Sequence, residues 1–265
     1  MRLDIRHTTR YRFDAPVRYG LQQLRKTPKS NAGQTVVDWS TEISGGRLEV
    51  SYEDHHHNRV DLISFESETT ELVVACSGSV EVEERNGIVG PHRGPSPLWL
   101  YQRSTPRTEP GAGCADLIAS ISRGDALDDL HALSKAILGR VAYVTGASDP
   151  AWSAEDTLEA GKGVCQDHAH VFVTCARKMG HPARYVSGYL MLNDRVDQDA
   201  THAWAEAHVD GIGWVGFDVS NGISPDERYV RVATGLDYSE AAPVTGMRLG
   251  GSEETLSVEV QVAQQ

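Results

Sequence analysis

The first hundred residues alternate. Leu3, Ile5, His7 and Thr9 are separated by polar neighbours, and the same period of two returns at Leu48, Val50 and Tyr52 and at Val80, Val82 and Glu84. Successive side chains of a strand point to opposite faces, so the pattern predicts an antiparallel sheet half open to water. Gly45-Gly46 and Asn86-Gly87 fall between these runs and read as turns. Five prolines between Gly90 and Pro110 (Pro91, Pro95, Pro97, Pro106, Pro110) then mark a linker. Beyond it the period changes. Leu130, Leu133, Ile137, Leu138 and Val141 recur at three and four residues, which predicts an amphipathic helix from Leu127. A short helix follows, with Ser153 as N-cap, Asp156 three residues on and Gly161 as its stop. A third starts near Cys165, carries a buried stripe of Cys165, Ala169, Phe172, Ala176 and Met179, and ends at Gly180 and Pro182. Strands return from Arg184, from Ala203 to Val209, from Trp214 to Val219 and from Leu256 to Val262. The expected architecture is α+β, with an antiparallel β domain over residues 1–105 and a second, α+β domain over 106–265.

Composition narrows the partners. Twenty-five Lys and Arg stand against 37 Asp and Glu, a net charge of −12, and an acidic surface argues against nucleic acid or an anionic membrane. No apolar run approaches the ~18 residues of a membrane span. The N-terminal MRLDIRHTTRYRF lacks the apolar stretch of a signal peptide, so a cytoplasmic location is expected. The four cysteines (Cys76, Cys114, Cys165, Cys175) are irregularly spaced, without CxxC, and make no disulfide framework. The question becomes whether one of them is a nucleophile.

Cys165 is the candidate. It follows Gly161-Lys162-Gly163 at what should be the first turn of a helix, where unpaired N–H groups and the helix dipole favour the nucleophilic thiolate. Cys76, Cys114 and Cys175 read as structural. In the hairpin Thr201–Ser220, Ala203, Ala205, Ala207 and Val209 point one way and His202, Trp204, Glu206 and His208 the other. With the turn at Asp210-Gly211-Ile212-Gly213, His202 and Asp218 fall nearly opposite each other on one polar face. If the Cys165 helix packs on that hairpin, thiol, imidazole and carboxylate converge: Cys attacks, His moves the proton, Asp orients the imidazole. Glu206 is the reserve orienting acid. Trp204 and Trp214 are candidate walls of a substrate cleft, and Tyr143 a candidate oxyanion donor beside the Cys165 backbone N–H. Zinc on Cys165, His168, His202 and Asp218 is the competing reading, weakened by the absence of repeated ligand spacing. His55-His56-His57 reads as a solvated loop, and His168 and His170 as polar positions around the helix.

These residues resemble a known family. Gly161-Lys-Gly-Val-Cys165-Gln-Asp-His-Ala-His, then Met179-Gly-His-Pro-Ala-Arg-Tyr-Val-Ser-Gly-Tyr-Leu, then His202-Ala-Trp-Ala-Glu and Gly213-Trp-Val-Gly-Phe-Asp218 are similar to the bacterial transglutaminase-like superfamily of thiol enzymes, over about residues 115–262. His7-Thr-Thr-Arg-Tyr11, Gln23-Leu-Arg-Lys-Thr-Pro28, Gly33-Gln-Thr-Val36 and Arg231–Tyr238 resemble the flanking parts of such proteins. Asp54-His-His-His-Asn58 departs from the Asp-x-Phe-Gly-Asn expected there. The resemblance implies a papain-like α+β core with the triad Cys165, His202 and Asp218, acting on amides through a thioester without metal or cofactor. The expected substrate is a peptide, a protein or a small amide, and the expected reaction that of a cysteine peptidase or amidase. The alternatives are a protein-glutamine transglutaminase and a non-catalytic protein-binding module on the same core.

Overall fold

The computed structural model describes residues 1–121, 124–250 and 253–265. The N-terminal half is strand: β1 (Arg2–Leu24), β2 (Gln34–Ser44), β3 (Gly46–Glu53), β4 (Arg59–Phe65), β5 (Thr69–Val82) and the short β6 (Ile88–Gly90). Helices α1 (Ala112–Ala119) and α2 (Ala126–Arg140) follow, then β7 (Ala142–Tyr143), α3 (Ala154–Ala160), β8 (Lys162–Gly163) and α4 (Cys165–Lys178). The chain closes with β9 (Ala183–Leu190), β10 (Asp197–Gln198), β11 (His202–Val209), β12 (Gly213–Phe217), β13 (Tyr229–Gly235), α5 (Tyr238–Ala241), β14 (Val244–Gly250) and β15 (Glu254–Gln264). The fold is α+β, with helices and antiparallel sheets, as expected.

The alternation read from the sequence has its cause in β1, whose first half buries Leu3, Ile5, His7, Thr9, Tyr11 and Phe13 in turn. That half is flanked by β15 on one side and β5 on the other; the second half pairs with β14 and β4. The expected turns form, with Gly45 and Asn86-Gly87 all at positive φ. The second sheet is antiparallel, in the order β13-β9-β11-β12-β6.

The boundary drawn at residue 105 is not the boundary of the sheets. β14 and β15 return to pair with β1, and β6 crosses to the second sheet beside β12. The proline-rich stretch also carries a turn of 3-10 helix, Leu98–Gln102. Leu3, Ile5, Val80, Val82, Val260 and Val262 pack against Tyr189, Val230 and Val232, so one apolar layer joins the two sheets. Alternation reports which face of a strand is buried and not which sheet it joins. Helices α1 and α5 were not read from the sequence; both are short, with too few turns for a periodic stripe.

Helix α4 is buried all round from Asp167 to Arg177. It lies on the alanine face of the β11–β12 hairpin, where Ala205 and Ala207 let the helix approach and Phe172 stacks on Phe217 with ring centroids 4.8 Å apart. Arg177, near its C-terminal end, donates to the carbonyls of Tyr101, Ala183 and Leu236, fixing three segments against the helix. The short helix α3 has the expected capping box between Ser153 and Asp156 and ends at Gly161, φ +64°. These contacts fix where α4 begins, and its first residue is Cys165.

Candidate active site

Cys165 is half-buried, whereas Cys76, Cys114 and Cys175 are buried. Ahead of it, a side chain at Gly163 would collide with Asp167, whose Oδ2 accepts the Val164 N–H at 2.7 Å. That contact closes the helix start. Cys165 packs beside Ala169, Tyr185 and Ala203, so the thiol lies at the residue next to His202 on β11.

The imidazole and the carboxylate meet. His202 Nε2 donates to Asp218 Oδ2 at 2.6 Å, leaving Nδ1 for the thiol. Burial works against the charged imidazole, but the hydrogen bonds and negative charges of Asp218 and Cys165 outweigh it and raise His202 to about 10. Burial likewise opposes ionisation of Asp218; its bonds with His202, Asn221 and Tyr229 win and hold it below the usual carboxylate range.

The hairpin register differs from the one expected. Val209 pairs with Gly213 and Ala205 with Phe217, which places Gly211 at the apex and Asp218 across from Trp204. Asp218 therefore reaches His202 along the diagonal. The cause is the turn: Gly211 and Gly213 both hold positive φ, a wider reversal than a two-residue turn. The shift is by two residues, so both side chains keep the same face.

Two further groups hold Asp218, and neither was read from the sequence. Asn221 Nδ2 and the Tyr229 hydroxyl each donate to Oδ2 at 2.7 Å. Asn221 sits in the turn closed by Asp218 and Ile223, and Tyr229 opens β13. The Asp218-x-x-Asn221 spacing was a signal for the first; the second needs knowledge of which strand lies beside the hairpin.

The remaining candidates are placed as follows. Tyr143 is exposed on β7, paired with β8 just before Cys165. Its phenol is pushed up by partial burial and then by the negative charges of Cys165 and Asp218, so it stays a proton donor. Trp204 lies inside the fold rather than at an open surface. It is buried with Val186, Leu190 and Tyr229 and stacks beside His202, ring centroids 6.2 Å apart. Trp214 is buried too, under the Arg184 guanidinium at 3.8 Å. Glu206 is no reserve acid, since Arg184 and Arg231 hold its carboxylate at 2.6 and 2.8 Å in the interior.

His168 and His170, expected as polar positions, are buried. His168 Nε2 donates to the Val141 carbonyl at 3.0 Å and Nδ1 takes the Ser220 hydroxyl at 2.8 Å, tying the base of α4 to both the Tyr143 segment and the Asp218 turn. Both its nitrogens are thus engaged, which removes it from the zinc set considered above. Among the described residues, His55, His56 and Glu240 could approach a metal together, with ligand atoms within 4.8 Å of one another. His56 is not on a solvated loop: it is buried, bonded to Tyr101 and Glu240. No described helix is long and apolar enough to cross a membrane.

Both halves of the chain resemble known proteins. Residues 116–219 match the transglutaminase-like superfamily and residues 3–81 the bacterial transglutaminase-like N-terminal region. An uncharacterized protein of Mycobacterium leprae is 28% identical over 98% of each chain. An uncharacterized protein of Mycobacterium tuberculosis is 34% identical over 48% of this chain and 44% of its own. Among solved structures, a "Putative Cysteine Protease" from Cytophaga hutchinsonii superposes with a TM-score of 0.78 at 20% identity, over 99% of this chain and 90% of that one, which is a likeness of fold.

Proposed function

We propose, for a chain that belongs to the transglutaminase-like superfamily, thiol-dependent acyl transfer on amide bonds through Cys165, His202 and Asp218. The observation that carries the reading is the 2.6 Å bond between His202 and Asp218 on an imidazole that the thiol also raises. An imidazolium beside a thiolate is the resting pair such chemistry needs.

In the first step the Cys165 sulfur adds to the carbonyl carbon. The oxyanion is met by the backbone N–H of Cys165, one of the unpaired donors of a helix start, and by the Tyr143 hydroxyl. His202 then gives its Nδ1 proton to the leaving amine as the C–N bond breaks, and a thioester remains. A water molecule, deprotonated by His202, attacks the thioester and releases the acid and the thiolate. Asp218 moves no proton; it holds the imidazole by Nε2 and stabilises its charged form. Asn221 and Tyr229 position Asp218.

Water is the acceptor in this reading, in line with the name given to the Cytophaga neighbour; an amine in its place makes the reaction a transamidation. The test is mass spectrometry of the whole protein after exposure to peptide and glutamine-amide libraries, with and without added primary amine. The expected result is an acyl adduct on Cys165 that water discharges and that is absent from His202→Ala. Turnover that survives Cys165→Ala sinks the proposal, as does an adduct confined to another cysteine.

A further inference from the structure

On the face of the second sheet turned away from α4, the interior holds more positive charge than it balances. Glu206 is completely buried, and it is shared by two guanidiniums, Arg184 and Arg231, whose side chains are 8% and 11% exposed. The Lys29 amine lies in the same cluster, bonded to neutral oxygens, the His56 carbonyl at 2.9 Å and Asn58 Oδ1 at 3.0 Å, and burial pushes it well below the usual lysine range. Two guanidiniums thus share one carboxylate. Buried charge without a partner is expensive, and a fold keeps it where something else completes the balance.

The cluster borders a cavity of about 560 Å³, within the ~300–1,000 Å³ range of small-molecule sites. Its walls come from both halves of the chain: Lys29, Arg184, Arg231 and Trp214 inside, and Arg93 at the exposed rim. Glu53 is the one carboxylate among the lining residues, and His57 already holds it. Cys165, His202 and Asp218 do not line this space. The donors are held in position. Arg184 lies over the Trp214 ring at 3.8 Å, and the indole N–H is in turn fixed by His92 at 3.1 Å. Arg231 Nε faces Glu206 Oε1 at 2.8 Å, so the carboxylate fixes that edge of the guanidinium. A guanidinium fork held in place beside an aromatic wall in a cavity is the arrangement that recognises carboxylate or phosphate.

We propose that this cavity is a second ligand site, taking a small molecule that carries a carboxylate or phosphate group, with Arg231 and Arg93 as its charge contacts. The site is distinct from the thiol centre and does not depend on the reaction assigned there. Carboxylate and phosphate share the guanidinium chemistry, so two probes separate the sources.

Citrate and inorganic pyrophosphate are titrated into the full chain by calorimetry at fixed ionic strength. The expected result is saturable binding of one per chain by at least one probe. Preference for citrate assigns a carboxylate ligand, and preference for pyrophosphate a phosphate ligand. Arg231→Gln should weaken binding by about tenfold, Arg93→Ser severalfold, and Cys165→Ala not at all. Arg93 is exposed, so its variant folds and decides the matter even where Arg231→Gln does not. Absence of saturable binding by both probes overturns the proposal. So does equal binding in wild type and Arg93→Ser, or loss of binding in Cys165→Ala, which would place the anion at the thiol.

Discussion

Asp218→Asn is the sharpest test of how the proposed triad is arranged. The amide oxygen can take the place of Oδ2 and accept the same three donors, His202 Nε2, Asn221 Nδ2 and the Tyr229 hydroxyl. The amide nitrogen then stands where Oδ1 faced the Asn221 N–H at 3.3 Å, a weak contact to lose. The variant should therefore fold and keep its thiol. What it removes is the charge. The rise of His202 from 6.5 to about 10 is worth on the order of 5 kcal/mol in favour of the imidazolium. The hydrogen bond of Asp218 is the largest single contribution that raises it. Its loss therefore takes away part of that stabilisation and depletes the charged imidazole. Losing the preferred tautomer adds to this, and in serine triads the same exchange of carboxylate for amide costs ~10⁴ in turnover. The expected loss is thus about 10²–10⁴. The assay needs no known substrate: the second-order rate of Cys165 alkylation by iodoacetamide is followed against pH. Wild type should react well on the acid side, and Asp218→Asn should lose that reactivity below neutral pH. An unchanged pH profile in Asp218→Asn, alongside a collapsed one in Glu206→Gln with its fold intact, would refute the assignment.

Other outcomes follow from the same geometry. At pH 6–7 iodoacetamide should label Cys165 ahead of the buried Cys76, Cys114 and Cys175, and peptide mapping that finds all four labelled equally would end the nucleophile reading. Tyr229→Phe removes one of the three donors on Asp218 Oδ2 and should lower turnover by about tenfold, the net worth of a hydrogen bond to a charged group, with the melting temperature nearly kept; full activity would strip Tyr229 of its positioning role. Stability should depend on pH from both sides. His202 is raised to about 10, so its contribution is complete below about 6.5 and is lost as pH rises through 10. His7 is lowered to about 3, by burial first and then by Lys26, so its contribution is present above about 6.5 and is lost as pH falls toward 3. Thermal melts should peak near neutral pH, and a flat profile from 4 to 10 contradicts both assignments. Treatment with EDTA should leave the Cys165 labelling rate unchanged; a rise that added zinc reverses would favour the metal reading.

Much of this was legible because period and capping are local. The Ser153–Asp156 box and the Gly161 stop were read from a few adjacent residues, and the structure forms them. The helix at Cys165 and the shared face of His202 and Asp218 were equally accessible, since a two-residue error in register does not change faces. What was not accessible depends on sheet neighbours far apart in sequence. Tyr229 meets Asp218 because the turn at Asp218–Ile223 brings the start of β13 back to the hairpin. The burial of Trp204 was not legible because alternation shows a side chain's face and not what covers it. On the triad face of β11, Trp204 is itself covered, packed with Val186, Leu190 and Tyr229. His56 was misread for a related reason: a run of histidines looks solvated until Tyr101 and Glu240, from two distant segments, close over it.

That cover explains how one strand carries two sets of charges in a buried face. Along β11, His202, Trp204 and Glu206 share a side, so the imidazole and the carboxylate stand ~13 Å apart with an indole between them. Each charge is answered by its own partners: Asp218 for His202, and the two arginines for Glu206. Arg184 comes from β9 and Arg231 from β13, the two strands that also pack on the N-terminal sheet. The side chain of Asn58 completes the tie, bonding both the N–H and the carbonyl of Thr234 as a strand edge would. The N-terminal region therefore does more than precede the second sheet. It supplies Lys29 and Asn58 to the layer around Glu206, on the same face of β11 where Asp218 bonds His202.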